Sequence, residues 1–239
     1  MIRLILNIVL MIILALCVWG GFKRGLIGSV AGILAVVVSL VAANAFATAY
    51  AKQLVPALNP FIGGYIDSDS TTSSILDNLG YGGSDLSLDD ILAQDSSLRY
   101  DYAYEAIHAV GFYTEISEEL AGDAVTFADK NNIGMTDSVI TVVCNTVAYV
   151  GCVTIVFIML LILITAILDM INLNFRFPNI DVVDEVSGAA LGLLKGFLYC
   201  VLLSWVLGFA GLIIGGETAN QCVLVRFFLA FRFITRSLI

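Results

Sequence analysis

The sequence predicts an all-α, polytopic membrane protein with four transmembrane helices in two hairpins, an acidic helical insert outside the cytoplasm and a C-terminal amphipathic helix. Two observations predict it. The first is a pair of charge-free runs, Leu4 to Phe22 and Gly25 to Ala51, separated only by Lys23 and Arg24. A helix rises about 1.5 Å per residue and the hydrocarbon core is about 30 Å thick, so each run suffices to cross a bilayer. The second is a repeat of the pattern near the C-terminus, where Ser138 to Leu168 and Gly196 to Gly216 are also free of charge. Apolar residues make up 59% of the chain and charged residues 13%, and the excess is confined to these runs, so it reads as spans rather than as a large soluble core.

The elements follow in chain order. Residues 1–50 form the first transmembrane hairpin, with spans near Ile2–Gly20 and Leu26–Tyr50. The five-residue link Gly21 to Gly25 leaves room only for a tight reversal. Arg3 and the first run imitate a secretory leader, but no A-x-A site follows and a second span begins at once, so retention is expected. Residues 51–137 form the insert, in which fifteen carboxylates face Lys52, Arg99 and Lys130, a balance of −12. The remainder of the chain is therefore +3, within a net charge of −9. Such an acidic face argues against nucleic acid or anionic lipid as a partner of the insert.

Within the insert, Pro56 and Pro60 are expected to break the chain, and Asp67 to Ser74 reads as a polar linker. Asp67, Asp69 and Thr71 imitate the start of a calcium loop, but Thr72 and Asn78 stand where that loop needs Gly and a bidentate Glu. Ser87 resembles a helix cap. Tyr100, Tyr104 and Ile107, then Ile116 and Leu120, fall at helical spacing, so short amphipathic helices are expected. A segment this size without cross-links is marginal alone and is expected to pack on the spans or on a second copy.

Residues 138–216 form the second hairpin, with spans near Ser138–Leu168 and Ala189–Ile214 around an inner turn at Asn172 to Pro178. Residues 217–239 form the tail, where Arg226, Arg232 and Arg236 oppose Phe227, Phe228 and Phe231, the pattern of a helix lying in the membrane interface. Lys23 and Arg24 place the first hairpin tip in the cytoplasm and the insert outside it.

The sharpest constellation is glycine in four-residue steps: Gly21 to Gly25 and Gly28 to Gly32 in the first hairpin, and Gly188 to Gly192 to Gly196 in the second. Glycines four apart lie on one helix face and let a second backbone approach closely, within the bundle or between copies. Lys195 sits among them, a charge at membrane depth that either snorkels to the inner surface or pairs with Asp169, Asp184 or Glu185. Asn7, Asn44 and Asn145 are expected to bond between helices.

Catalytic chemistry has no signature here. His108 is the single histidine, and no H-E-x-x-H, P-loop or G-x-S-x-G occurs, so no enzyme, cofactor or metal is expected. The five cysteines form no C-x-x-C. The expected partners are the lipid bilayer and either further copies of the chain or another membrane protein.

The stretch from Asp184 through Gly188, Gly192 and Lys195 to Gly196 resembles the colicin V production (CvpA) family signature D-x-V-x-G-x-x-x-G-x-x-[KR]-G. Gly21 to Gly25 is similar to that family's basic, glycine-bearing first turn, and the tail is similar to its C-terminal segment. The resemblance covers about residues 2–50 and 138–238; the insert is the departure. It implies a multi-pass protein of the bacterial inner membrane linked to toxin production and envelope physiology, with no catalytic residues to carry over. A channel or small-solute transporter is the alternative class, for which Lys195 and the isolated asparagines are the available polar groups.

Overall fold

The computed structural model describes residues 2–82, 88, 91–92, 95–170, 181–209 and 223–229. Every regular element among them is helical. In chain order they are α1 (Ile2–Tyr50), a 3₁₀ turn (Ala51–Gln53), α2 (Val55–Ile66), α3 (Asp69–Asn78), α4 (Leu98–Val110), α5 (Thr114–Asn131), α6 (Met135–Met170), α7 (Asp181–Phe209) and α8 (Val223–Leu229). Among the described residues, three helical stretches are long and apolar enough to cross a membrane: Leu4–Gln53, Met135–Met170 and Val182–Phe209. The chain divides into two compact units. Unit 1 comprises Met1–Ala49, Gly151–Val206 and Gln221–Ile239; unit 2 comprises Tyr50–Val150 and Leu207–Asn220.

In unit 1, α1 is two arms rather than one rod. Gly25 has φ 70° and ψ −172°, a backbone conformation essentially reserved for glycine. Residues eight apart in a straight helix are about 12 Å apart, yet the Ser29 hydroxyl lies 3.3 Å from the Gly21 carbonyl oxygen. The chain therefore turns back on itself at Gly25.

The buried positions of the second arm are mostly small: Gly25, Ser29, Gly32, Ala35, Ser39, Ala43 and Ala47, with Val36. Those of α7 include a four-residue step of small and polar residues, Asp184, Gly188, Gly192, Gly196, Cys200 and Ser204, joined near the C-terminal end by Val201, Trp205, Gly208 and Phe209. The other faces carry exposed Val and Leu, including Leu34, Val41, Leu193 and Leu194. A chain that buries its small residues and exposes its large apolar ones is built for an apolar solvent.

The helix α6 contributes to both units. From Ser138 to Thr154 no residue is exposed; from Ile155 onward Ile158, Met159, Ile162, Leu163 and Ile167 are. Unit 2 extends through Val150, beyond Asp137, the last charge before the apolar run. Loss of charge is the same signal whether a helix enters lipid or a protein core. The packing explains what the first turns of α6 do: Val139, Ile140 and Val143 join Ile62, Ile66, Ile107, Val110, Ile116 and Leu120 in the core of unit 2.

Polar contacts tie the helices of unit 2 together. The Ser138 hydroxyl donates to the Ala124 carbonyl at 2.5 Å, and the Tyr102 and Thr136 hydroxyls are 3.1 Å apart. Tyr65 donates to the Ala109 carbonyl at 3.1 Å, and Arg99 pairs with Asp129 at 2.7 Å. Gly111 (φ 102°) and Asn132 (φ 52°) end α4 and α5 in left-handed caps. Before α4, the Asp95 carboxylate accepts from the Ser97 amide and hydroxyl at 2.9 and 2.6 Å, which holds its pKa below the ordinary value.

Some local expectations are corrected. Pro56 and Pro60 do not break the chain: Pro56 opens α2, where its missing N–H costs nothing, and Pro60 lies inside the same helix. Residues Asp69 to Ser74 are not a linker but the first turns of α3, with Asp69 at the favourable N-terminal end and Thr71 and Ile75 buried. Tyr100 is exposed, while Ile107, Ile116 and Leu120 are core. Asn145 bonds within its own helix, to the Thr141 carbonyl at 2.8 Å, instead of between helices. The cap at Ser87, the turn at 172–178 and most of the tail lie outside the described residues; in α8, Phe228 packs edge-to-face on Phe197 at 5.5 Å.

Candidate functional site

The site grows out of the contact between α7 and the two arms of α1. Gly188 and Gly192 lie so close to the first arm that a Cβ on Gly192 would meet the Cys17 carbonyl oxygen and stand 3.1 Å from the Gly21 Cα. A Cβ on Gly21 would meet the Gly188 carbonyl oxygen. Further along, the Cys200 thiol is 3.7 Å from the Leu10 carbonyl. Rising numbers on α7 therefore meet falling numbers on the first arm. Against the second arm the order is parallel: Asp184 meets Gly25 and Leu26, Gly188 meets Ser29, and Lys195 meets Gly32.

Two polar residues fix this register. The carboxylate of Asp184, which is 5% exposed, accepts the Leu26 backbone N–H at 2.9 Å. Leu26 is the first residue after the break, so its N–H has no partner one turn back. Asp184 thus caps the second arm from α7, with its negative charge at the positive end of that arm. The buried Ser29 hydroxyl shares its single hydrogen between the Gly21 and Gly188 carbonyls, at 3.3 and 3.2 Å. Neither contact is available to Lys195, for which Asp184 was one expected partner.

Lys195 instead lines a cavity of about 550 Å³ bounded by both arms, α6 and α7. Its ammonium lies 5.5 Å from the Tyr199 ring centroid and within electrostatic range of Arg24 and Asp169. Arg24 pairs with Asp169, its Nη2 3.3 and 3.4 Å from the two carboxylate oxygens. Among the described residues Lys195 makes no ion pair. With Arg24 and Asp169 opposed, one positive charge remains. Leu16, Leu161 and Ile162 supply apolar walls, and Gly28 and Gly32 give the Arg24 stem and the Lys195 ammonium room against the second arm, where a Cβ would stand 3.0 Å from each.

Of the nine positions singled out in the sequence, Gly21, Gly25, Gly188, Gly192 and Gly196 lie at the α7–α1 contact, Asp184 caps the second arm, and Gly28, Gly32 and Lys195 border the cavity. Sequence reasoning did not find Ser29, Tyr199 or the Arg24–Asp169 pair as parts of one place. Two of these had a signal: Ser29 is four residues after Gly25 and Tyr199 four after Lys195, each on the same helix face as a chosen residue. His108 is elsewhere, stacked on Tyr104 in unit 2 at 5.6 Å.

Three buried side-chain oxygens have no hydrogen-bond partner among the described residues: Asn7 Oδ1, which therefore does not make the expected bond between helices, and the Ser39 and Ser204 hydroxyls. Replacing such a hydroxyl removes a desolvation cost and no bond. Ser204→Ala is therefore expected to leave the unfolding midpoint unchanged or raise it, by up to about 1 kcal/mol; a clear drop in a detergent unfolding titration would contradict this.

A fold of long helices with small residues inside and large apolar residues outside, enclosing a cationic cavity, defines a helical membrane protein. Residues 6–79 match the family model described as Colicin V production protein, which supports assignment of the chain to the colicin V production (CvpA) family. The matched stretch holds Gly21, Gly25, Gly28 and Gly32, and it runs past the first hairpin through α2 and α3. It does not include the Asp184 to Gly196 stretch. No curated protein and no solved structure matches the chain.

Proposed function

We propose that this protein is a non-enzymatic, CvpA-type integral membrane protein of the bacterial cytoplasmic membrane, supporting production or export of a colicin V type toxin, or envelope homeostasis. The observation that carries the reading is the family match over the glycine-bearing hairpin. The reversal at Gly25 supports a four-span reading, in which the spans are the two arms of α1, the exposed apolar part of α6 and most of α7. Lys23 and Arg24 keep the hairpin tip in the cytoplasm, and the acidic segment 51–137 lies outside. The glycine faces hold the bundle together, and the lipid-facing surfaces accommodate a second copy or a membrane partner. The test is secretion of a colicin V type peptide by cells with the gene deleted and restored. Unchanged secretion together with an unchanged envelope sensitivity profile would remove the reading.

A channel or small-solute transporter is a second reading, favoured by the cavity around Lys195. Purified protein in liposomes tests it directly. Under the leading reading no solute flux is expected above empty vesicles, and Lys195→Met changes nothing. Flux that Lys195→Met alters at least several-fold would move the protein to the transport class.

A further inference from the structure

We infer that the cavity of unit 1 is a binding site for one anionic phospholipid, with its phosphate held by Lys195 and Arg24 and an acyl chain laid along Leu16, Leu161 and Ile162. The inference does not depend on the toxin-related role.

Three observations carry it. The cavity has a chemically divided lining, with cationic and hydroxyl-bearing side chains (Arg24, Lys195, Tyr199, Thr165) beside large apolar ones. That division matches an amphiphile and suits a small polar solute poorly. The charge does not close: Arg24 is opposed by Asp169, while Lys195 makes no ion pair among the described residues and holds its ammonium 5.5 Å from the Tyr199 ring centroid. An ammonium at membrane depth without a counter-charge is costly, and a lipid phosphate supplies one. The depth also fits. Lys23 stacks on Trp19 at 4.0 Å one turn before the hairpin tip, an aromatic–basic pair typical of the headgroup level. Arg24 and Asp169 stand at that level. Lys195 is seven residues beyond Gly188, about 10 Å deeper along α7, and its four-carbon stem can carry the charge back toward the headgroups.

The groups facing Lys195 are Arg24, Asp169, Cys17 and Tyr199, so the net charge seen by a ligand is positive when the thiol and phenol are neutral. A soluble phosphate ester would satisfy the same cations, but it would leave Leu16, Leu161 and Ile162 against water. The divided lining therefore favours the lipid.

Full-length protein in a neutral detergent is titrated with dioleoylphosphatidylglycerol, dioleoylphosphatidylcholine or glycerol phosphate, and bound lipid is read by native mass spectrometry alongside the thermal midpoint. One phosphatidylglycerol is expected to be retained per chain and to raise the midpoint, with phosphatidylcholine retained at least tenfold less. Lys195→Gln should lower retention at least tenfold, Lys195→Arg should restore it, and Lys52→Gln in unit 2 should leave it unchanged. If Lys195→Gln does not fold, Arg24→Gln serves as the second variant, again with a several-fold loss expected. Equal retention of the two lipids, or retention indifferent to both variants, overturns the proposal. So does displacement of the lipid by equimolar glycerol phosphate, which would assign the cavity to a soluble phosphate ester.

Discussion

Gly192→Leu is expected to abolish the native packing of unit 1. The position has backbone on the facing side at every close approach: the Cys17 carbonyl oxygen, the Gly21 Cα at 3.1 Å and the Cys17 carbonyl carbon at 3.2 Å. Backbone cannot rotate away as a side-chain tip can, so α7 and the first arm must separate along their length. Separation would expose the Gly188–Gly21 approach and loosen the cavity edge at Lys195. Overpacking a well-fitted contact typically costs 1–3 kcal/mol, and a rigid two-backbone contact belongs at or above the top of that range, about 3 kcal/mol or more. The comparison variant is Gly151→Ala, where a Cβ would meet nothing within 4 Å. It is expected to be neutral or stabilising by up to about 1 kcal/mol through helix propensity. Unfolding of both variants in a mixed-detergent titration checks the pair. Equal midpoints would mean that the close approach carries no stability.

The contrast shows what glycine spacing in the sequence discloses and where it stops. Spacing of four put Gly188, Gly192 and Gly196 on one face, and the charge-free runs located the long helices. Spacing alone does not say which backbone comes close, because a small residue leaves no recognition pattern on its partner. The register between α7 and α1 rests on Asp184 and Ser29, and only three-dimensional contact reveals that a carboxylate of the second half caps an amide of the first. The division of α6 was equally hidden. Val139 and Val143 in the core of unit 2 and Ile158 and Ile162 on the exposed surface of unit 1 are the same kind of residue in one uninterrupted apolar run. The helices of unit 2 were legible from Ile107, Ile116 and Leu120, but α3 was not, since Ser, Thr and Asp favour both loops and helix starts.

Asp184→Ala is expected to detach the second arm from α7 and to cost about 2–3 kcal/mol, the range for leaving a buried donor without its charged acceptor. The Leu26 N–H loses its carboxylate acceptor in the turn that follows Gly25. Asp184→Asn keeps an acceptor and loses the charge at the arm's positive end, so a smaller cost of about 1 kcal/mol is expected. The neighbouring glycine separates this effect from simple loss of packing. A Cβ on Gly25 would meet the Asp184 carboxylate, and Gly25 also holds a φ of 70° that an L side chain resists. Gly25→Ala should therefore destabilise the wild-type protein on both counts. In the Asp184→Ala background the crowding disappears and only the backbone strain persists, about 1–3 kcal/mol. The two substitutions are expected to be less damaging together than the sum of each alone. A double-mutant cycle on the unfolding midpoint measures the difference. Strict additivity would mean that Asp184 does not hold the turn, and that the reversal at Gly25 is maintained by the glycine contacts alone.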